Sequence, residues 1–281
     1  MEKSILLTGA SGGFGRCLVA ELHARGHRVL AALRGGETRG ESLFPDLVDS
    51  PRLKFADLDL CDPASIHHLV EKTKLHFGKQ LDVLINNAGA AVLGPVEHQS
   101  LTDVRRQFDL NFFGPLALLQ ALLPVLRSSR GRILNVTSMT AYATFPFYGT
   151  YSASKHALDA ATEALYYDLA EAGVQVCAVE PGAYRTGFTP AALRPALPEG
   201  APAMDKRRVP AFEGFLKSLR ETEKDPRAVA RRLADLCESR RIPPRARIGR
   251  DAHFFWFLRR WMPDGWWVRG MEWFFRRRVF R

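Results

Sequence analysis

The chain has 281 residues, of which 46% are hydrophobic and 25% charged, usage that excludes disordered, collagenous and coiled-coil classes. No apolar run reaches the roughly 18 residues of a bilayer-spanning helix, and Met1 to Ala10 lacks the parts of a secretory signal, so a cytoplasmic protein is expected. The net charge of +10 is concentrated: residues 240–281 hold twelve arginines against Asp251, Asp264 and Glu272, together with all five tryptophans, Trp256, Trp261, Trp266, Trp267 and Trp273.

Apolar or β-branched runs at Ser4 to Leu7, Arg28 to Leu33, Leu53 to Ala56, Leu81 to Ile85, Arg132 to Val136 and Val174 to Val179 alternate with segments of helical period. This alternation predicts an α/β fold, a doubly wound Rossmann-type parallel sheet with helices on both faces. Asp62-Pro63 and Ser100 with Asp103 are helix starts. Cys17, Cys61, Cys177 and Cys237 form no C-x-x-C pair and have no histidine at ligand spacing, so they are expected to be reduced core residues and no metal is expected.

The first run leads into Thr8-Gly9-Ala10-Ser11-Gly12-Gly13-Phe14-Gly15 and then a helical pattern. Glycines there let the backbone turn tightly and approach a pyrophosphate, whose charge free N–H groups at the helix start would stabilise. A plain flexible turn is the competing reading. Arg34 ends the second run, where an NAD site places an acid on the ribose 2′-hydroxyl. A guanidinium there suits the 2′-phosphate of NADP(H) better. Arg39 is a second candidate, and Glu37 falls off the strand.

The fourth run ends in Asn86-Asn87-Ala88-Gly89, small and amide residues at a carboxyl edge of the sheet. Asn111 sits among Leu110, Phe112 and Phe113 in a helical segment, as a site residue or as a satisfied core amide. Thr137 and Ser138 follow the fifth run. In Tyr151-Ser152-Ala153-Ser154-Lys155 the Tyr and Lys share a helix face. An ammonium beside a phenol lowers its pKa from about 10 towards neutrality, as a tyrosine acid or base requires. Such pairs are common on solvated helices, and only the combination with the preceding motifs singles this one out.

With these motifs the chain resembles the short-chain dehydrogenase/reductase family, in its shorter branch, over roughly residues 3 to 186 and more weakly to about 252. Thr8, Gly9, Gly13 and Gly15 match the family's cofactor loop, which includes Ser11 and Phe14. Asp59-Leu60 matches its adenine-contacting pair, and Asn87-Ala88-Gly89 its N-A-G segment. Asn111, Ser138, Tyr151 and Lys155 match its catalytic tetrad, and Pro181-Gly182 with Thr186 the segment that holds the nicotinamide. The resemblance implies hydride transfer between NADP(H), less favourably NAD(H), and a carbonyl or alcohol. Tyr151 would exchange the proton, Ser138 would hold the oxygen, Lys155 would lower the Tyr151 pKa and bind the ribose, and Asn111 would hold a relay water. A homodimer is common in the family and expected here.

Pro190, Pro195, Pro198, Pro202 and Pro210 predict a long irregular loop from Phe188 to Pro210, within a lid over about 187–224. Asp225-Pro226 opens a helix through Cys237, and Ala246 to Ile248 form a last strand. Asp251 is expected to cap an aromatic helix ending near Pro263, with another from about Trp266. Residues 1–250 are thus expected as the catalytic domain and 251–281 as a basic aromatic appendage. Phe188, Met204, Val209, Phe212, Phe215 and Leu216, with Tyr142, Phe145, Phe147 and Tyr148, are expected to cover a lipophilic substrate of steroid, retinoid or long-chain type. The sequence resembles hydroxysteroid and retinol dehydrogenases in this. In the final helix Trp267, Met271, Phe274 and Gly270 share one side. That pattern fits peripheral membrane association as well as packing or oligomerisation, and nothing resembles a nucleic-acid module. The alternative to an enzyme is a catalytically weak nucleotide-sensing or lipid-surface binding protein on the same fold.

Overall fold

The computed structural model describes residues 1–78 and 80–280. Strands β1 (Ser4–Thr8), β2 (Arg28–Leu33), β3 (Leu53–Asp57), β4 (Val83–Asn86), β5 (Arg132–Val136), β6 (Gln175–Pro181) and β7 (Arg245–Ile248) form one sheet in the order β3-β2-β1-β4-β5-β6-β7. Every pairing is parallel. The helices are α1 (Gly13–Ala24), α2 (Gly36–Leu43), α3 (Pro63–Phe77), α4 (Leu101–Phe108), α5 (Gly114–Ser128), α6 (Gly149–Asp168), α7 (Phe188–Ala191), α8 (Ala203–Thr222), α9 (Arg227–Glu238), α10 (Arg250–Trp261) and α11 (Asp264–Phe274). All six predicted strands and the seventh at 246–248 are present.

The central strands are mostly apolar on both faces because both faces are covered. Ile5, Leu7, Val29 and Ala31 point to the layer of α1 and α9, where they meet Leu18, Leu22, Val229 and Leu233. Leu6, Leu30, Leu84 and Ile133 point the other way, onto Ile66 and Leu69 of α3 and Leu118 and Leu122 of α5. Each fully buried Val, Leu or Ile side chain among them contributes about 1.5–3 kcal/mol of transfer free energy. The strand order reverses beside β1, between β2 and β4, and in an open parallel sheet the crevice outside the carboxyl ends at that point is where ligands bind. Asp62 caps α3 by accepting from Ala64 N and Ser65 N, and Ser100 caps α4 by accepting from Asp103 N at 3.0 Å.

Three expectations are corrected. Helix α8 begins at Ala203 and runs through Pro210, so the irregular stretch is only 192–202. Proline costs the helix one hydrogen bond, but burial of Phe212 and Leu216 on its inner face outweighs that loss. Asp251 lies inside the first turn of α10, whose cap is Gly249. Its carboxylate is drawn instead to Ala183 N and Lys224. Third, α4 and α5 join through a π-helical turn, Asp109–Phe113, into one helix, Leu101–Ser128, long and apolar enough to cross a membrane. The absence of an 18-residue apolar run had hidden it. Its Leu118, Leu119, Leu122 and Leu126 are buried against the sheet and α3, which is how the core helix of a globular domain is used.

A third apolar cluster lies outside the sheet layers. It joins Ala91, Leu93 and Tyr151 to Phe212 and Leu216 of α8 and to Phe275, Val279 and Phe280. The end of the chain is therefore packed into the body. Phe255 of α10 meets Trp267 edge to face at 6.3 Å, and the Tyr142 hydroxyl donates to Ala252 O at 2.7 Å.

Candidate active site

At the carboxyl edge of β1 the Thr8 hydroxyl oxygen accepts from Asn87 N (3.0 Å) and Ala88 N (3.2 Å), and Asn87 Nδ2 donates to Thr8 O and Gly9 O. These bonds lock the glycine loop to the turn after β4. Gly9 has φ +70°, and a Cβ there would lie 2.7 Å from Ala88 Cα. A Cβ on Gly13 would come within 2.4 Å of Thr186 O, and one on Gly15 within 2.1 Å of Gly9 O. The glycines let three stretches of backbone meet, and the start of α1 carries no side-chain cap. Its first N–H groups are the anion cradle expected of such a turn.

A cavity of about 880 Å³ starts from this loop. Of the predicted site residues, all but Gly15 and Asn111 line it. Gly15 works from behind the wall, admitting the Gly9 carbonyl. Arg34 and Asp59-Leu60 line the end nearest β2 and β3. The Arg34 side chain is exposed and makes no ion pair among the described residues, while Arg39 Nη1 donates to Arg34 O at 3.2 Å. Glu37 turns away to pair with Lys72 of α3. Near the tip of β2, Asp57 accepts from Gly35 N at 2.8 Å. Asp59 accepts from Cys61 N at 2.9 Å. Positive charge is therefore what β2 offers the cavity.

Ser138, at the end of β5, has extended backbone and accepts from Thr140 N at 3.1 Å, which aims its hydroxyl at the Tyr151 phenol. Tyr151 and Lys155 of α6 are both buried. Lys155 Nζ donates to Val136 O at 3.0 Å and lies 6.0 Å from the centre of the Tyr151 ring. The expected lowering of the Tyr151 pKa is not found in the chain alone. Burial pushes the phenol well above its ordinary value, and the hydrogen bond from Ser138 only partly opposes it. Burial pulls the Lys155 ammonium down to about 8. The phenol is thus held protonated at neutral pH, poised as a proton donor.

Asn111 is buried behind the cavity wall. Its amide is hydrogen-bonded through both ends: Nδ2 donates to Ala90 O (2.8 Å) and Ser154 Oγ (2.9 Å), and Oδ1 accepts from Ala90 N (2.9 Å). What the amide does is tie the strand-end segment Gly89-Ala90 to α6 one residue before Lys155, and the π-helical turn at Asp109–Phe113 sets its direction.

Pro181, Gly182 and Thr186 cross the cavity after β6. Asp251 accepts from Ala183 N at 2.7 Å and pairs with Lys224, so one carboxylate fastens this segment to the lid and to α10. Nothing in the sequence set Asp251 apart from a helix cap. The far wall is aromatic: Phe145, Tyr148, Phe188 and Phe215 are joined by Phe254, Phe255, Phe274 and Phe275 from the C-terminal helices. Sequence reasoning expected the first four and missed the last four, because their only local signal was the helical repeat of Trp267, Met271 and Phe274. Gly270, placed with them in sequence, faces outward. Elsewhere Glu97, His98 and Asp205 converge, with His98 Nε2 3.1 Å from Asp205 Oδ2. That buried contact clasps the 96–98 turn to α8.

Residues 3–195 match the family model described as short chain dehydrogenase. Over 277 residues the chain is 30% identical to 3-ketodihydrosphingosine reductase of Bacteroides thetaiotaomicron, covering 92% of this chain and 93% of that protein. It is 32% identical over 292 residues to 11-beta-hydroxysteroid dehydrogenase type 2 of Oryctolagus cuniculus, with 97% and 70% covered. The crystal structure of a short-chain dehydrogenase from Streptomyces avermitilis matches with a TM-score of 0.80 at 30% identity, over 97% of this chain and 96% of that one.

Proposed function

The chain belongs to the short-chain dehydrogenase/reductase family of oxidoreductases, and from that premise we propose that it reduces a lipophilic ketone or aldehyde with NADP(H). The observation that carries the reading is one cavity with three chemical zones. A capless helix start and glycine loop lie at one side, Arg34 at one end, and a Ser138–Tyr151 pair beside Lys155 opposite an aromatic wall. The loop would hold the pyrophosphate, Arg34 the 2′-phosphate, Asp59-Leu60 the adenine, and Asn87 to Gly89 with Pro181, Gly182 and Thr186 the nicotinamide end. When bound, the reduced nicotinamide supplies the hydride.

The chain's own residues supply the rest. Ser138 donates to the substrate carbonyl oxygen and holds it against the phenol. Tyr151, kept protonated by burial, gives that oxygen its proton as the carbonyl carbon is reduced to an alcohol. Lys155 stabilises the phenolate that remains and reaches the ribose. Asn111 acts as a positioning residue, holding α6 to the strand end. The aromatic wall favours an apolar body on the substrate, and similarity to a reductase named for a 3-keto sphingoid base supports the long-chain option over a small ketone. A homodimer is the expected assembly, with Leu101, Phe113 and Tyr167 as apolar surface left outside on α4, the π-helical turn and α6; sedimentation velocity checks it.

The test is oxidation of NADPH and NADH against steroid, retinoid, long-chain and small carbonyls. Turnover favouring NADPH and long or polycyclic ketones is expected. Tight NADPH binding with no turnover on any carbonyl would overturn the reading and leave a nucleotide-sensing protein on this fold.

A further inference from the structure

We infer that the aromatic rim of the cavity is a docking face for an anionic lipid bilayer, through which the substrate enters. This rests on the reading of a lipophilic substrate. The C-terminal helices each have an inner face already spent on packing, through Ala252, Phe255, Trp267 and Phe275. Yet they carry a second apolar surface outward. In α10, Phe254, Phe257 and Trp261 recur at i, i+3 and i+7, so they share one stripe. They are 57%, 56% and 71% exposed. In α11, Trp266 and Trp273 stand at i and i+7 with Gly270 between them, 71% and 59% exposed. A packed domain has no use for three indoles in water, and clustered exposed aromatics mark an interaction site.

Charge selects the occupant. Arg260, Arg269, Arg276, Arg277 and Arg278 are exposed on the same two helices and the turn after them. They are opposed by little: Asp264 is taken by Arg259, and Glu272 lies 3.8 Å from Arg276. Indole rings interleaved with arginine suit the headgroup layer of an anionic bilayer, where the rings sink to the acyl boundary and the guanidinium groups meet phosphate. A second copy of the chain fits poorly, because a two-fold contact through this face would set arginines against arginines.

The surface is also continuous with the chamber. Phe254, Phe274 and Leu219 are at once solvent-exposed and cavity-lining. The α10 stripe therefore reaches the mouth, and Phe274 brings α11 to it. A ketone dissolved among acyl chains would reach Tyr151 along a largely apolar wall, without first dissolving in water.

The experiment uses the full chain and cosedimentation with two vesicle types, phosphatidylcholine alone and phosphatidylcholine with phosphatidylserine. The chain is expected to pellet with the anionic vesicles and far less with neutral ones. Arg276→Glu/Arg277→Glu should weaken binding by roughly fivefold or more per arginine, and Trp261→Ser/Trp266→Ser/Trp273→Ser should weaken it further. None of these five residues lines the cavity, so turnover of a water-soluble ketone should be unchanged while turnover of a bilayer-embedded ketone falls with binding. Retention of the full chain in the supernatant, or equal pelleting of the tryptophan variant, overturns the proposal. So does a tryptophan variant that sediments as a smaller oligomer, which would give this face to a second copy. Vesicle binding without turnover of any carbonyl would uphold docking and remove the reductase reading instead.

Discussion

At the nucleotide end of the cavity the chain is shaped by atoms it lacks. A Cβ on Gly13 would meet Thr186 and one on Gly15 would meet the Gly9 carbonyl, so three stretches of backbone touch where side chains are missing. At the substrate end it is shaped by rings: Phe147 on Phe212 at 4.9 Å and on Phe280 at 5.4 Å, and Phe215 on Phe275 at 5.6 Å. The first kind of constraint falls on glycines gathered within one turn of chain, although Ala88 and Thr186 supply the other side of the contact, and so leaves a spaced motif. The second is assembled from residues between 91 and 280 and leaves only a composition. One fold can thus keep its cofactor end fixed while the other end changes with any repacking that conserves volume.

Tyr151 stands where the two ends meet, and its removal should have the largest effect. Tyr151→Phe is expected to cut kcat by about 10²- to 10⁴-fold with the NADPH Kd unchanged, measured by steady-state turnover beside fluorescence titration. A near-normal rate would take the proton-donor role from it. Phe275→Ala and Gly13→Ala test the division directly. The former, truncating a buried ring, should cost about 3–5 kcal/mol of stability in denaturant melts and raise the substrate KM, with NADPH binding little altered. The latter should cost about 1–3 kcal/mol and raise the NADPH Kd first. If both variants moved both constants alike, the two ends would be one unit. Arg34→Ala should lose about 1.5–3 kcal/mol of charge-assisted contact, read as a tenfold or larger rise in KM for NADPH and none for NADH.

The smallest effect concerns pH. Lys155 is pulled down to about 8, so its ammonium persists below that and is lost above it. Reduction should be flat through neutrality and fall as pH rises past about 8; Lys155→Arg, which keeps its charge, should move that limb upward. Stability runs the other way. A lysine depressed by burial opposes folding while charged, so the chain should gain stability as pH rises from about 8 towards the ordinary lysine range, followed by urea unfolding across that window.

Where the structure follows the sequence, the physics is local. Strand runs, the caps at Asp62 and Ser100, the glycine loop and the Tyr151–Lys155 spacing each need only a few consecutive residues. The departures share another cause. Pro210 enters a helix because Phe212 and Leu216 find partners far along the chain. Asp251 leaves its cap for Ala183 and Lys224, 68 and 27 residues away. Tyr151 is pushed up because burial outweighs anything its neighbours supply. The tail carried two legible faces, but only folding shows that one closes the chamber. Deleting residues 251–281 would therefore not test the outer face alone, since it also removes Phe275, Val279 and Phe280 from the core.

The π-helical turn at Asp109–Phe113 makes this site sensitive to length more than to spelling. Such a turn holds one residue more than the α-helix around it needs. A chain one residue shorter anywhere in that stretch would relax to regular α-helix without breaking Leu101–Ser128. But each residue advances a helix by about 100°, so Asn111 would swing off Ala90 and Ser154 and release α6 from the strand end. Most substitutions there leave the count intact. A single-codon deletion would therefore misplace α6, and Tyr151 with it, while the helix that carries the turn stays continuous.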